Sequence, residues 1–216
     1  LCVLVKQVPG SESALRIASG NTWVEDAAAL FEMNESDNYA LEEALQIKES
    51  LGNDSEVVVV SMGPERVQKV IREALSKGAD RGIHINEMPE IKSDPFATAQ
   101  VFANVIKDEN FDLIFSGLQS DDVGSGQTGV ILGEMLGMAT ATLVMATEVQ
   151  EGSIKVKREL ESGWFQWDSM STLASITIQS GINQPRYPSL KGIMGCLLYI
   201  SPSPRDLSTP RMPSSA

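Results

Sequence analysis

The stretch from Leu113 to Gly137, LIFSGLQSDDVGSGQTGVILGEMLG, holds the residue types and spacing that bear most directly on chemistry. A short apolar run that reads as a strand empties into a loop of Gly117, Leu118, Gln119, Ser120, Asp121, Asp122, Val123, Gly124, Ser125, Gly126, Gln127 and Thr128, and a helix pattern follows. Free N–H groups and the positive dipole end at a helix start suit a phosphate, and Gln127 and Thr128 lie at such a start. Asp121 and Asp122 would repel the same anion. Adjacent carboxylates point apart on most backbones, so a metal is a weaker use for the pair. The loop is therefore either a nucleotide cradle or only a turn. Neither GxGxxG after the first strand nor the Walker GxxxxGK[ST] is present, so the usual dinucleotide and P-loop readings fail. The single histidine, His84, falls in a strand-like RGIHI with no visible orienting group, which leaves no nucleophile–base pair. Cys2 and Cys196 make neither a disulfide framework nor a metal signature. On the residues alone, this is a nucleotide-binding α/β domain without a catalytic set and without a metal.

The composition sets the limits on partners. With 216 residues, 42% hydrophobic and 21% charged, the chain can bury a sizeable core. A formal charge of −12 disfavours nucleic acid or an anionic membrane as the main partner. No run of about 18 apolar residues is present, and no basic-then-apolar segment opens the chain, so neither membrane insertion nor a targeting segment is expected.

The elements that must position the loop follow from hydrophobic periodicity. LCVLVKQV reads as a buried strand, and SALRIAS with TWVED, around Gly20 and Asn21, as a small hairpin. MNESDNYALEEALQIKESLG reads as a helix capped by Ser36 or Asp37, with Leu41, Ala44, Leu45 and Leu51 on one face and Gly52 as its stop. EVVVVSMGP is a second strand; the helix after it has Pro64 in its first turn and Val67, Val70, Ile71, Ala74 and Leu75 as its stripe. RGIHI is a third strand, and the next helix has Asp94 as its cap and Ala99, Phe102, Ala103 and Ile106 inward. FDLIFSG is the fourth strand, and Gly129 and Gly133 let the following helix approach it closely. This alternation predicts a doubly wound, mostly parallel, Rossmann-like sheet. Beyond Gly137, TLVMATEVQEGSIKVKREL reads as two strands and STLASITIQS as another, a small antiparallel addition on the first part. In GWFQW, Trp164 and Gln166 should share a strand face, with the tryptophans packed beneath this addition.

Seven segments, VLVKQVP, MNESDNYALEEAL, VVVVSMGP, ALSKGADRGIHI, GLQSDDVGSGQTG, KVKRE and INQPRYPSLKGIM, resemble the beta subunit of electron-transfer flavoprotein in order and register, over about residues 1 to 195. The resemblance implies a heterodimer with an alpha subunit that carries most contacts to a redox-active FAD. The beta subunit holds AMP and is an electron-carrier subunit rather than an enzyme. Electrons would come from flavin dehydrogenases, such as acyl-CoA dehydrogenases of fatty acid oxidation, and pass to a quinone reductase. Motif by motif, the resemblance places AMP against Leu4, against Asn34, Glu35, Ser36 and Asp37, against Met62 and against the loop from Gly117 to Thr128. Asp122 would cap backbone or meet the ribose hydroxyls. Glu159 matches the acid that holds the mobile FAD domain of alpha, and Leu190 the recognition-loop leucine that inserts into a dehydrogenase. Arg186 and Tyr187 accompany Leu190 in that loop, between Pro185 and Pro188.

The resemblance has departures. Met62 stands where some members have cysteine, and MNESD lacks the proline often seen after its asparagine. The QTG from Gln127 to Gly129 is similar to the AMP-holding members rather than to a bifurcating branch that carries a second FAD there. A stand-alone nucleotide-binding protein of the universal-stress kind remains an alternative, although its G-x2-G-x9-G-[ST] spacing is absent. After LKGIM the chain turns to GCLLYISPSPRDLSTPRMPSSA, rich in Ser and Pro. Residues 196–216 are expected to be a disordered, non-native tail that replaces the family's alpha-wrapping arm. The expected compartment is the bacterial cytoplasm, or the mitochondrial matrix if the source is eukaryotic.

Overall fold

The computed structural model describes residues 1–20, 24–25, 29–52, 55–86 and 94–195. The expected tail, Cys196 and Asn21 lie outside them. The chain runs β1 (Cys2–Leu4), β2 (Gln7–Pro9), β3 (Phe31–Met33), α1 (Glu35–Leu51), β4 (Val58–Met62), α2 (Gln68–Lys77), β5 (Arg81–Ile85), α3 (Pro95–Ile106), β6 (Leu113–Gly117), α4 (Thr128–Met135), β7 (Ala139–Gln150), β8 (Ser153–Glu159), β9 (Phe165–Ser171), β10 (Ala174–Ile178) and α5 (Leu190–Gly195). Eight strands form one sheet in the order β5-β4-β1-β6-β10-β7-β8-β9, and β2 pairs with β3 in a separate antiparallel ribbon.

Side chains alternate between the two faces along each strand, and the core divides accordingly. Val3, Val57, Val59 and Phe115 meet Leu41, Ala44 and Leu45 of α1 and Val70, Ile71 and Ala74 of α2. Cys2, Leu4, Val58, Val60 and Ile114 meet Ala99, Phe102 and Ile106 of α3 and Leu132 of α4 on the other face. The sheet is therefore doubly wound. β1 pairs in parallel with β4 on one side and β6 on the other, so the chain reverses its direction of winding between β1 and β6. That switch point is where open α/β sheets form their ligand crevice.

Most of the expected elements form. Asp94 accepts from Ala97 N at 2.7 Å and caps α3, with Pro95 in the first turn. Gly129 and Gly133 let α4 lie on the sheet: a Cβ on Gly133 would come within 2.5 Å of Thr140 Cγ2 and 2.7 Å of Ser175 Cβ. Ile17 and Val24 form an antiparallel bridge where the hairpin was expected. Buried His84 is hydrogen-bonded at Nε2 to Gly63 O, 2.9 Å, a structural use.

Four expectations need correction. LCVLVKQV is two strands, because the chain leaves the sheet at Val5 and pairs Gln7–Pro9 with β3. Helix α1 begins at Glu35, with Asn34 rather than Ser36 or Asp37 in the cap position, and Leu51 at its other end is half exposed. STLASITIQS does not join the antiparallel addition: β10 lies parallel between β6 and β7, and β7, β8 and β9 extend the same sheet as an antiparallel edge. The GWFQW aromatics do not pack beneath it; Trp164, Phe165 and Trp167 are exposed on and beside the edge strand.

Candidate functional site

The crevice at the switch point is built by three chain segments that converge at the carboxyl ends of β1, β4 and β6. Leu4 ends β1, Met62 ends β4, and Gly117 ends β6 and opens the acidic loop. Leu4 is buried and Met62 is half-buried against the same apolar cluster, on the α3 and α4 side of the sheet. The first turn of α1 comes up from the opposite side.

That turn grips the loop through side chains that sequence reasoning assigned to a ligand. Asn34 makes no cap bond to its own helix. Its Nδ2 donates to Gln119 O at 3.0 Å and to Ser36 Oγ at 2.9 Å, and its Oδ1 accepts from Asp121 N at 2.9 Å. Ser36 Oγ donates to Gln119 O at 2.8 Å. Asp37 accepts from Lys6 N and from Gly117 N, each at 2.8 Å. Gly117 has to be glycine here, since a Cβ would fall within 2.5 Å of Asp37 Oδ1 and closer still to Ser36 Oγ. Burial raises the Asp37 carboxyl, pushed up to about 7 against the opposing pull of the two backbone N–H groups.

The two loop aspartates point apart, as expected of neighbours. Asp121 accepts from Glu35 N at 3.1 Å. Asp122 accepts from Lys6 Nζ at 2.6 Å and from Val123 N at 2.8 Å, and Lys6 Nζ also reaches Ser120 Oγ at 3.2 Å. Partial burial would raise the Asp122 carboxyl, but the hydrogen bonds from Lys6 and Ser120 outweigh it and hold the group below the usual carboxylate range. Beyond Asp122 the loop turns through Gly124 (φ 67°) and Gly126 (φ 62°), left-handed conformations that favour glycine. It then enters α4 at Thr128. The first amides of that helix have no acceptor four residues back, and with no acidic residue in its first turn this end suits an anion.

The structure thus joins Asn34, Glu35, Ser36 and Asp37 to the loop from Gly117 to Asp122 by direct hydrogen bonds, with Leu4 and Met62 at adjacent strand ends. Val123, Ser125 and Gln127 are exposed on the loop's far arm. Sequence reasoning missed Lys6. The visible signal was a lone charge after an apolar strand, in VLVKQV. It also missed Glu42 and Glu43, buried acids inside an apolar helical pattern.

The residues expected to meet partners lie elsewhere. Arg186 is used within the chain: Nε donates to Glu42 Oε2 at 2.8 Å, Nη2 to Glu42 Oε1 at 3.0 Å, and Nη1 to Glu49. Asn183 Nδ2 donates to Glu43 Oε2 at 2.9 Å. The loop so anchored presents Tyr187, 92% exposed, and Leu190, 82% exposed, at the start of α5. Glu159 ends β8, half-buried, and accepts from Gln179 Nε2 at 3.3 Å. Among the described residues no cluster of three His, Cys, Asp or Glu is placed to hold a metal ion, and no helix is long and apolar enough to cross a membrane.

Asp37 generates a pH prediction. An acid whose folded value is raised stabilises the fold when protonated. Its contribution is present below the unfolded value of 3.8 and is lost as pH rises through about 7. Urea unfolding of the full chain and of Asp37→Asn, from pH 4 to 8, should show the wild-type-minus-variant difference falling with pH at up to about 1.4 kcal/mol per unit. It should level off above about pH 7. A difference that rises with pH would mean that the carboxylate is the favoured form.

Comparison with known proteins identifies the family. The electron transfer flavoprotein domain family matches residues 22–196. The electron transfer flavoprotein subunit beta of Methylophilus methylotrophus is 38% identical over 195 residues, covering 89% of this chain and 74% of the relative. That of Bradyrhizobium diazoefficiens is 38% identical over 192 residues, covering 89% and 76%. That of Bacillus subtilis is 34% identical over 195 residues, covering 90% and 74%. A match over most of the chain decides against the stand-alone stress-protein alternative, and the chain belongs to the electron transfer flavoprotein family as a beta-subunit member.

Proposed function

We propose that the chain is the nucleotide-holding half of a heterodimeric electron carrier, with AMP in the crevice between β1 and β6 and with FAD bound mainly by an alpha subunit. The observation that carries this reading is the shape of the 117–128 loop. It begins on the α1 turn, turns its acids onto Lys6 and Glu35 N, and delivers a helix start without acidic residues to the crevice.

The residues fit such a ligand. Leu4 and Met62 offer an apolar wall for an adenine ring. Gln127, Thr128 and the free amides of the first turn of α4 would hold the phosphate. Asn34, Ser36 and Asp37 would act chiefly by shaping the loop, because their polar atoms are already taken up by it. AMP supplies no redox chemistry. When bound, FAD supplies the electron acceptor and donor of the heterodimer, and this chain contributes scaffold and docking groups. Glu159 would hold a basic residue of the alpha subunit's flavin domain. Leu190 and Tyr187 would contact a flavin dehydrogenase, with acyl-CoA dehydrogenases and a quinone reductase as donor and acceptor. A loop pinned by Arg186 loses less entropy when it docks.

The nucleotide content of the complex tests the reading. Acid extraction of the heterodimer, with chromatography of what is released, should yield one FAD and one AMP. Two FAD and no AMP would make this a bifurcating subunit with flavin at the crevice. Docking is tested separately. Leu190→Ala should lower the rate of electron transfer from a dehydrogenase by about tenfold or more, as a buried hot-spot anchor does, with bound nucleotide and unfolding midpoint unchanged. An unchanged rate would return Leu190 to the ordinary surface.

A further inference from the structure

Lys6 has a role in the crevice that its place in the strand motif does not announce. Its backbone is fixed on both sides: its N–H donates to Asp37 and its carbonyl accepts from Asn34 N at 2.9 Å. Its side chain crosses to the loop, where Nζ lies 2.6 Å from Asp122 Oδ1 and 3.2 Å from Ser120 Oγ. Lys6 therefore links the end of β1 to a loop 116 positions away in sequence. We propose that Lys6 is a positioning residue that latches the loop through Asp122 and cancels that residue's charge, so that an acidic loop accepts an anionic nucleotide. This rests on the crevice binding AMP. It assigns Asp122 to the latch rather than to the ribose.

The physical case is one of charge and of entropy. An uncompensated Asp122 on the loop that leads into α4 would repel a phosphate at the helix start, and near a protein surface such a repulsion is felt over several ångströms. A free surface lysine loses conformational freedom when it forms a pair, which leaves most exposed ion pairs weak. Here Nζ meets both Asp122 Oδ1 and Ser120 Oγ, so two partners offset the ordering of one side chain. The same turn of α1 takes up the other loop acid, with Asp121 on Glu35 N. Both negative charges are thereby satisfied before a ligand arrives.

The test uses the full chain assembled with an alpha subunit and stripped of nucleotide, titrated with AMP and with uncharged adenosine. Lys6→Met should weaken AMP about tenfold and adenosine less than about threefold, the scale of one partly exposed charge pair. Adding Asp122→Asn to Lys6→Met should recover most of the AMP loss, and Lys6→Arg should stay within about threefold of wild type. A double variant as weak as Lys6→Met would overturn the latch, since the ammonium would then be meeting the phosphate itself. Unchanged AMP affinity in Lys6→Met would overturn it too. If the wild-type complex binds neither ligand, the AMP reading fails, and hydrogen exchange in the unliganded complex decides the latch. The amides of Asp121, Val123 and Gly124, bonded to Asn34, Asp122 and Ser120, should exchange about fivefold faster or more in Lys6→Met. Equal rates would overturn it.

Discussion

The buried carboxylate of Asp37 receives the backbone N–H groups of Lys6 and Gly117 and so ties the ends of β1 and β6 to the first turn of α1. These are the two neighbouring strands between which the chain changes its direction of winding. A crevice at such a point is open by topology, because the connections leaving the two strands diverge to opposite faces. Without a tie, the loop leaving β6 would have little to follow. Asp37 fixes where the loop starts, and Asn34, Ser36 and Glu35 N hold Gln119 and Asp121 further along it. A group held this way needs burial, and burial brings the raised titration of its carboxyl. The titration at about 7 is a consequence of that burial, and the two N–H groups of the tie pull against it.

Helix α1 holds two separate loops. Its first turn shapes the 117–128 loop. Further along, Glu42, Glu43 and Glu49 hold Arg186 and Asn183 and thereby aim Tyr187 and Leu190 outward. Burial would raise the Glu42 carboxyl, but the Arg186 hydrogen bonds outweigh it and hold the group below the usual glutamate range, so its stabilising contribution has the opposite pH dependence to that of Asp37. It is present above the ordinary glutamate value and lost as pH falls. A single helix thus relates the 117–128 loop to the loop that carries Tyr187 and Leu190.

Much of this was legible in the residues. Each parallel strand is a short apolar run and each helix has a stripe, and those patterns follow from local geometry. The Asp94 cap and the close approaches at Gly129 and Gly133 were read from single residues with a clear physical demand. What failed was non-local. Nothing in STLASITIQS distinguishes a strand added at an edge from one inserted between β6 and β7, because parallel pairing is decided by partners far away in sequence. Asn34, Ser36 and Asp37 are all good caps by type, and hydrogen bonds to a loop over 80 positions later decided which one stands at the helix start. Leu51 continued the apolar spacing past the edge of what the helix covers. The exposed aromatics of GWFQW broke the burial rule; Phe165 lies under the Lys157 ammonium, 4.2 Å from the ring centroid, while Trp164 and Trp167 stay exposed. Asn34, Glu35, Ser36, Asp37 and the loop from Gly117 lie together because their motifs fall at the ends of neighbouring strands and at the helix start beside them. Lys6 escaped although it lies in VLVKQVP, because its partner Asp122 is 116 positions away in sequence.

The proposed function requires that the crevice between β1 and β6 hold a phosphate at the start of α4. A crystal structure of the heterodimer grown with AMP tests it most directly. Density for the phosphate is expected within hydrogen-bonding distance of the amides from Gln127 to Gly129, with Lys6 still on Asp122. A phosphate seated elsewhere, or a nucleotide whose phosphate is met by Lys6 with Asp122 swung away, would contradict it.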